Sequence, residues 1–145
     1  MEPDVLKSER RGSAYFTIRW STILTLDKKT VRTVIPSQAG IYELFRDAGG
    51  RTPVLIGRSR AYYGGLRNTL RGLIDPDTPY AFNGELLDLK RDHWVRYTLI
   101  ESSDDMDDLL FFFGQRDSAT SEPRHSGRYR YIYVNEEPCT AESLG

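Results

Sequence analysis

Hydrophobic and polar residues alternate from residue 15 to residue 26. Phe16, Ile18, Trp20, Leu24 and Leu26 fall on one side, and Tyr15, Thr17, Arg19, Ser21 and Thr25 on the other. A period of two is that of a half-buried strand. Asp27-Lys28-Lys29-Thr30 supplies turn residues, and Val31, Thr33 and Ile35 predict a partner strand that ends at Pro36. A second extended segment, Gly40 to Phe45, runs into a turn at Asp47-Ala48-Gly49-Gly50. It is followed by a short apolar strand, Val54-Leu55-Ile56, that stops at Gly57-Arg58. After a loop holding Gly64-Gly65, the spacing of Leu66, Leu70 and Leu73 predicts a helix with one buried face.

Asp75-Pro76-Asp77-Thr78-Pro79 then breaks the chain. Tyr80 to Arg91, with Phe82, Leu86, Leu87 and Leu89, predicts a second helix weakened by Gly84. Trp94 to Ile100 has apolar residues on both faces, as a central strand does. Ser102 or Ser103 caps a third helix, with Asp104 and Asp105 in its first turn, where the helix dipole favours negative charge. That helix turns Met106, Leu109, Leu110, Phe112 and Phe113 inward and stops near Gly114. Arg116 to Gly127 is polar and loop-like. From Arg128 to Val134 the alternation returns, with Tyr129, Tyr131 and Tyr133 on one side and Arg128 and Arg130 on the other. The pattern predicts one α/β domain over residues 14–135, a small, mostly antiparallel sheet flanked by helices and opened by an N-terminal hairpin. Residues 1–13 are expected to be a mobile arm, in which Lys7, Arg10 and Arg11 are available to a polyanion, and residues 136–145 a tail.

Composition narrows the function classes. A chain of 145 residues with 39% hydrophobic and 28% charged content is an ordinary globular domain. Its net charge of -1 excludes a uniformly basic coat for nucleic acid, so polyanion binding would need a patch. One candidate patch exists: no acidic residue falls between Ala48 and Ile74, whereas Arg51, Arg58, Arg60, Arg67 and Arg71 do. The single Cys139 excludes an internal disulfide and a cysteine-built zinc site. No apolar run reaches the roughly 18 to 20 residues of a membrane span, and Met1 to Ser13 lacks a signal-peptide core. A cytoplasmic protein without a membrane partner is the expectation.

Gly40-Ile41-Tyr42, then a hairpin, then Leu55-Ile56-Gly57-Arg58 and an arginine-bearing helix, resembles the start of a GIY-YIG nuclease domain. The resemblance implies an endonuclease that hydrolyses phosphodiester bonds of nucleic acid, DNA in the first place, with Mg²⁺ or Mn²⁺ as cofactor. Two tyrosines, an arginine and a metal-holding glutamate carry the chemistry in that family. Tyr42 matches the first tyrosine. Leu55 stands in place of the second, a role that Tyr62 or Tyr63 would have to fill from the loop, because an aliphatic side chain neither hydrogen-bonds water nor gives up a proton. Arg58 matches the basic residue after the glycine. Thr69 aligns with the catalytic arginine, and Arg67 and Arg71 lie two residues either side of it. The glutamate position falls on Leu109 or Leu110, with Asp107 and Asp108 as the nearest carboxylates and Asp107 as the candidate metal ligand. The resemblance therefore nominates Tyr42, Arg58, Arg67 and Arg71 for catalysis. Arg60, Tyr62, Tyr63, Arg128 and Arg130 are nominated for nucleic-acid contact. His93 and His125 lack metal-ligand spacing.

Three functions are compatible with this sequence: a nucleic-acid-binding domain of GIY-YIG type with cleavage weakened or lost, an active endonuclease using substitute residues, or a protein-interaction domain. The groove reading requires Arg58, Arg67 and Arg71 to line one surface with Tyr42 at its floor. In the alternative, the acidic residues from Asp104 to Asp108 lie against the arginines and neutralise them.

Overall fold

The strand expected around residues 15–20 already has a partner on its N-terminal side. In the computed structural model, which describes residues 2–46, 52–75, 92–115 and 128–138, β1 (Val5–Arg10) and β2 (Ser13–Trp20) form an antiparallel hairpin. Arg11 and Gly12 both have positive φ, 52° and 80°, the pattern of a two-residue turn whose twist matches the strands it joins. The expected mobile arm is therefore largely a strand. Lys7, midway along it, reaches across to Asp105, which fastens β1 to the body of the protein. On β2, Ala14, Phe16, Ile18 and Trp20 are buried and Tyr15 is exposed, as the alternation requires.

The expected partner strand after Asp27 is a helix. A two-residue strand β3 (Leu24–Thr25) precedes α1 (Lys28–Thr33). The Asp27 carboxylate accepts a 2.7 Å hydrogen bond from the Thr30 amide and so caps the helix. Val31 and Ile35, read as alternate strand positions, are buried on one side at a spacing of four.

β4 (Gly40–Arg46) and β5 (Thr52–Ser59) pair antiparallel, with Ile41 opposite Arg58, Tyr42 opposite Gly57 and Glu43 opposite Ile56. A turn of 3-10 helix (Ala61–Tyr63) then leads into α2 (Gly65–Ile74). Gly65 has φ of 72°, and a side chain there would strike the Ser37 carbonyl. The glycine lets the loop at residues 36–38 come close enough for its carbonyls to accept from the Leu66 and Arg67 amides, at 2.9 and 3.0 Å. β6 (His93–Leu99) lies between β3 and β4. α3 (Ser103–Gln115) and β7 (Tyr131–Pro138) follow, so β7 takes in residues 136–138 of the expected tail. The helix expected over residues 80–91 and the loop at residues 116–127 lie outside the described residues, which resume at Arg128.

The strands form two sheets rather than one. The four-stranded sheet, in the order β3-β6-β4-β5, is antiparallel throughout. The three-stranded sheet has the order β1-β2-β7, with β2 and β7 parallel. Backbone hydrogen bonds from Ser21 to Tyr97, 2.8 Å, and from Leu99 to Pro3, 3.2 Å, join the two. Arg96 joins them through side chains: it pairs with Glu43 at 2.6 Å and lies over the Trp20 ring, whose indole N–H donates to Glu136 at 2.9 Å. The architecture is α/β, with mostly antiparallel sheets flanked by a few helices. Among the described residues no helix is long and apolar enough to cross a membrane.

Each face of the four-stranded sheet covers its own core. On one face Tyr42, Leu44, Leu55 and Val95 meet Val31 and Ile35 from the α1 region and Leu66, Leu70 and Leu73 of α2. On the other, Ile41 and Ile56 meet β2 and the Met106, Leu109, Leu110 and Phe113 side chains of α3. Gly57 matters to the first core, because a β-carbon there would overlap the Tyr42 phenol. Gly57→Ala is expected to cost about 1–3 kcal/mol, the usual penalty of overpacking, read as a lower urea midpoint. Tyr42→Leu in the same chain should restore part of it; equal midpoints for Gly57→Ala and wild type would place the ring elsewhere.

Candidate functional site

Tyr42 is buried, 3% exposed, with its ring across Gly57 and the leucines of α2 around it. Leu55, two residues before Gly57, belongs to the same core. Arg58 comes next after Gly57 and so points to the other face of the sheet, beside Ile41 and Ile56. There it forms an ion pair with Asp107 of α3, its own side chain only 4% exposed. The first tyrosine and the basic residue thus stand on opposite sides of one sheet and share no surface. Thr69, aligned with the catalytic arginine, shares a 2.5 Å hydrogen bond with Ser59.

The acidic start of α3 faces cations along its length. Asp107 faces Arg58; Asp105 accepts from Lys7 at 2.8 Å; Arg128 lies 3.1 Å from Asp104, 3.7 Å from Asp105 and 3.5 Å from the buried Asp108. Tyr129 extends the cluster, accepting from Arg128 at 2.8 Å and donating to Glu9. Burial pulls the Lys7 ammonium down, but hydrogen bonds to Asp105, Tyr129 and Glu9 and the charge of Asp105 outweigh it and hold Lys7 above the usual lysine range. Hydrogen bonds from Tyr129 and Lys7 hold the Glu9 carboxyl below the usual carboxylate range. The Tyr129 hydroxyl, then Asp108 and Asp104, raise Arg128 against the opposing effect of burial. Asp107, the candidate metal ligand, has Arg58 as its ion-pair partner. Among the described residues no group of three His, Cys, Asp or Glu side chains gathers to hold a metal.

Arg67 and Arg71 are one turn apart on α2 and face α1. The Arg67 Nε donates to the Ile35 carbonyl at 2.8 Å. Arg71 is solvent-exposed, 3.8 Å from Asp75. With Lys28 and Arg32 of α1 they line a cavity of about 240 Å³, floored by Val31 and Ile74. Lys28 and Arg32 were not nominated by sequence reasoning, which placed them in a turn and a strand. The signal that finds them is the Asp27 cap followed by basic residues four apart, which a helix brings to one side. Arg60 is half-buried, its Nε without a hydrogen-bond acceptor among the described residues. Tyr62 stands in solvent, 89% exposed, and so does not replace Leu55 beside the buried Tyr42. The Tyr63 side chain lies outside the described set. Arg130 is exposed near the start of β7, its guanidinium over the Tyr131 ring.

The nominated residues therefore separate into an internal pair (Arg58 with Asp107), a core aromatic (Tyr42), a cationic cleft (Arg67 and Arg71, joined by Lys28 and Arg32) and a second surface around Arg130. The acidic residues of α3 neutralise Arg58 and Arg128 but not the arginines of α2. Arg58 therefore does not line one surface with Arg67 and Arg71, as the groove reading requires. Asp107→Leu, which strips a carboxylate from a buried guanidinium, is expected to destabilise by about 3 kcal/mol. The double variant Arg58→Met/Asp107→Leu should recover most of that loss in chemical denaturation. A single-variant loss of a few tenths of a kcal/mol would mean that the pair is solvated.

No curated protein and no solved structure matches the chain. Residues 4–142 match a family model whose description reads "Uncharacterised protein", and the chain belongs to that family.

Proposed function

We propose that the protein binds nucleic acid, duplex DNA in the first place, through backbone phosphates held in the cleft between α1 and α2, without cleaving it. The observation that carries this reading is the cleft itself, where among the described residues Lys28, Arg32, Arg67 and Arg71 gather around the single carboxylate of Asp75, in a chain of net charge -1. Four cations converge on one carboxylate, which leaves an excess of positive charge, and an anion is what such a site accommodates. At about 240 Å³ the cavity falls below the roughly 300–1,000 Å³ of pockets that enclose a whole small ligand. That size favours a phosphate presented by a larger body.

The scaffold is inferred to be a divergent GIY-YIG-like domain elaborated at its N-terminus. Supporting this are the β4–β5 hairpin, the arginine-bearing α2 after it, and the strand and helix (β6, α3) that follow in the same order. The non-cleaving reading draws on Tyr42 in the core and Arg58 behind the sheet, where the two cannot meet on one phosphodiester. A cytoplasmic location belongs to the same reading.

Fluorescence anisotropy with a labelled DNA duplex tests the proposal. Affinity should fall steeply with salt, because each phosphate contact releases a counterion. Arg71→Ala and Arg32→Ala should each weaken binding across all sequences and lower the salt slope by about one. The fold should survive both, since these side chains lie at the surface. Absence of duplex binding at low salt would sink the proposal. In Mg²⁺ or Mn²⁺ the protein is expected to leave supercoiled plasmid intact; robust nicking abolished by Tyr42→Phe would instead establish an endonuclease.

A further inference from the structure

The outer face of the three-stranded sheet carries three tyrosines that keep about half of their surface in solvent. Tyr15 of β2 and Tyr133 of β7 are registered neighbours on parallel strands. Their rings stack with centroids 4.9 Å apart and planes 11° from parallel. Tyr131, on the same side of β7, lies 6.3 Å from Tyr133, and the Arg130 guanidinium caps its ring at 5.4 Å. The rings are 41%, 49% and 52% exposed for Tyr15, Tyr133 and Tyr131. Ile132 and Val134, which alternate with Tyr131 and Tyr133 along β7, turn the other way and pack against the core. The Tyr15–Tyr133 stack helps to hold β2 to β7, yet a solvent-facing strand position is served by threonine as well as by tyrosine, and the column leaves about half of each tyrosine open to solvent.

Charge is distributed unevenly around the column. At one end stand Arg10 and the Arg11 turn, since Arg10 pairs with Ser13 and Ser13 with Tyr131. Arg130 lies on the same side. Among the described residues no carboxylate pairs with any of these three arginines. At the other end Arg19 is held by Asp4 and Glu137, both at 3.3 Å, which closes that end electrostatically. Exposed aromatic faces rimmed at one end by arginines that no described carboxylate pairs with complement a polymer that has flat bases and a phosphate backbone. In a duplex the bases are already stacked on one another, so the platform suits a single strand.

We propose that the Tyr15–Tyr133–Tyr131 column, with Arg10, Arg11 and Arg130, is a stacking platform for single-stranded DNA. The choice of DNA rests on the duplex reading above; the platform itself does not, because both cores separate it from the α1–α2 cleft.

The test measures anisotropy of labelled 12-nucleotide oligothymidylate, with oligouridylate, a 12-base-pair DNA duplex and a proline-rich peptide as further probes. The wild-type chain should bind oligothymidylate. Tyr131→Thr and Tyr133→Thr should each weaken it by roughly 5- to 150-fold, the loss that goes with one stacked base, and leave duplex affinity unchanged. Tyr133→Phe, which keeps the ring, should bind like wild type. If a threonine variant fails to fold by circular dichroism, Arg130→Glu carries the test, since it alters no buried side chain and should weaken the oligonucleotide. Arg71→Ala should reduce duplex binding alone, so failure of the cleft and failure of the platform give different patterns. The proposal is overturned if oligothymidylate does not bind, if folded threonine variants bind it like wild type, if oligouridylate is preferred, or if the proline-rich peptide alone occupies the column.

Discussion

Successive residues of a strand point to opposite sides of its sheet, and the β4–β5 pair turns that rule into the plan of the molecule. With Tyr42 opposite Gly57, the phenol has the space of a missing side chain to lie across. The same register places Ile41 opposite Arg58, on the other face. Tyr42, Leu44 and Leu55 therefore define the core under α1 and α2, and Ile41 and Ile56 the core under α3. A slip of β5 by one residue would send the Arg58 guanidinium among the leucines of α2 and Leu55 to the opposite face. Burial on both faces is what forbids the slip.

The second core needs a polar counterpart because α3 starts with four aspartates, Asp104, Asp105, Asp107 and Asp108, and its apolar residues begin among them. Charge at a helix start suits the dipole in water, but Asp108 is buried, and an uncompensated carboxylate there would be costly. The compensating cations come from three separate places: Lys7 on β1, Arg58 on β5 and Arg128 ahead of β7. The Arg58 pair, the driest of these, matters most to stability. The exposed ones contribute little singly and serve mainly to fix which elements meet α3.

Much of this was legible in the chain. The burial of Phe16, Ile18 and Trp20, the β4 and β5 segments, the leucine face of α2 and the apolar face of α3 follow from periodicity, because burial on one side leaves a regular trace. Two elements escaped. The hairpin of β1 turns through Arg11-Gly12, where a non-glycine residue takes the left-handed conformation, so one of the usual turn residues is missing. α1 carries Val31 and Thr33, whose branching favours strands in isolation, and the Asp27 cap together with burial of Val31 and Ile35 overrides that preference. The candidate site was legible only in part. An acid-free run of arginines gives charge along the chain, but the pleat then divides Arg58 from Arg67 and Arg71, and the cations that complete the cleft arrive on the helix that was missed.

The parallel pairing of β2 with β7 has a consequence in time. Arg19 and Glu137, which meet across it, are 118 residues apart in the chain, and contacts of such span must close a long loop before they return any stability. The β1–β2 hairpin is local and forms early during synthesis, yet Phe16, Ile18 and Trp20 gain their cover only when α3 and then β7 have emerged. Until then a growing chain presents an aromatic sheet face and an unpaired strand edge, the features by which nascent chains engage chaperones or one another. Of the pairings in this sheet, β2–β7 therefore carries the larger loop-closure cost, where β1–β2 is local.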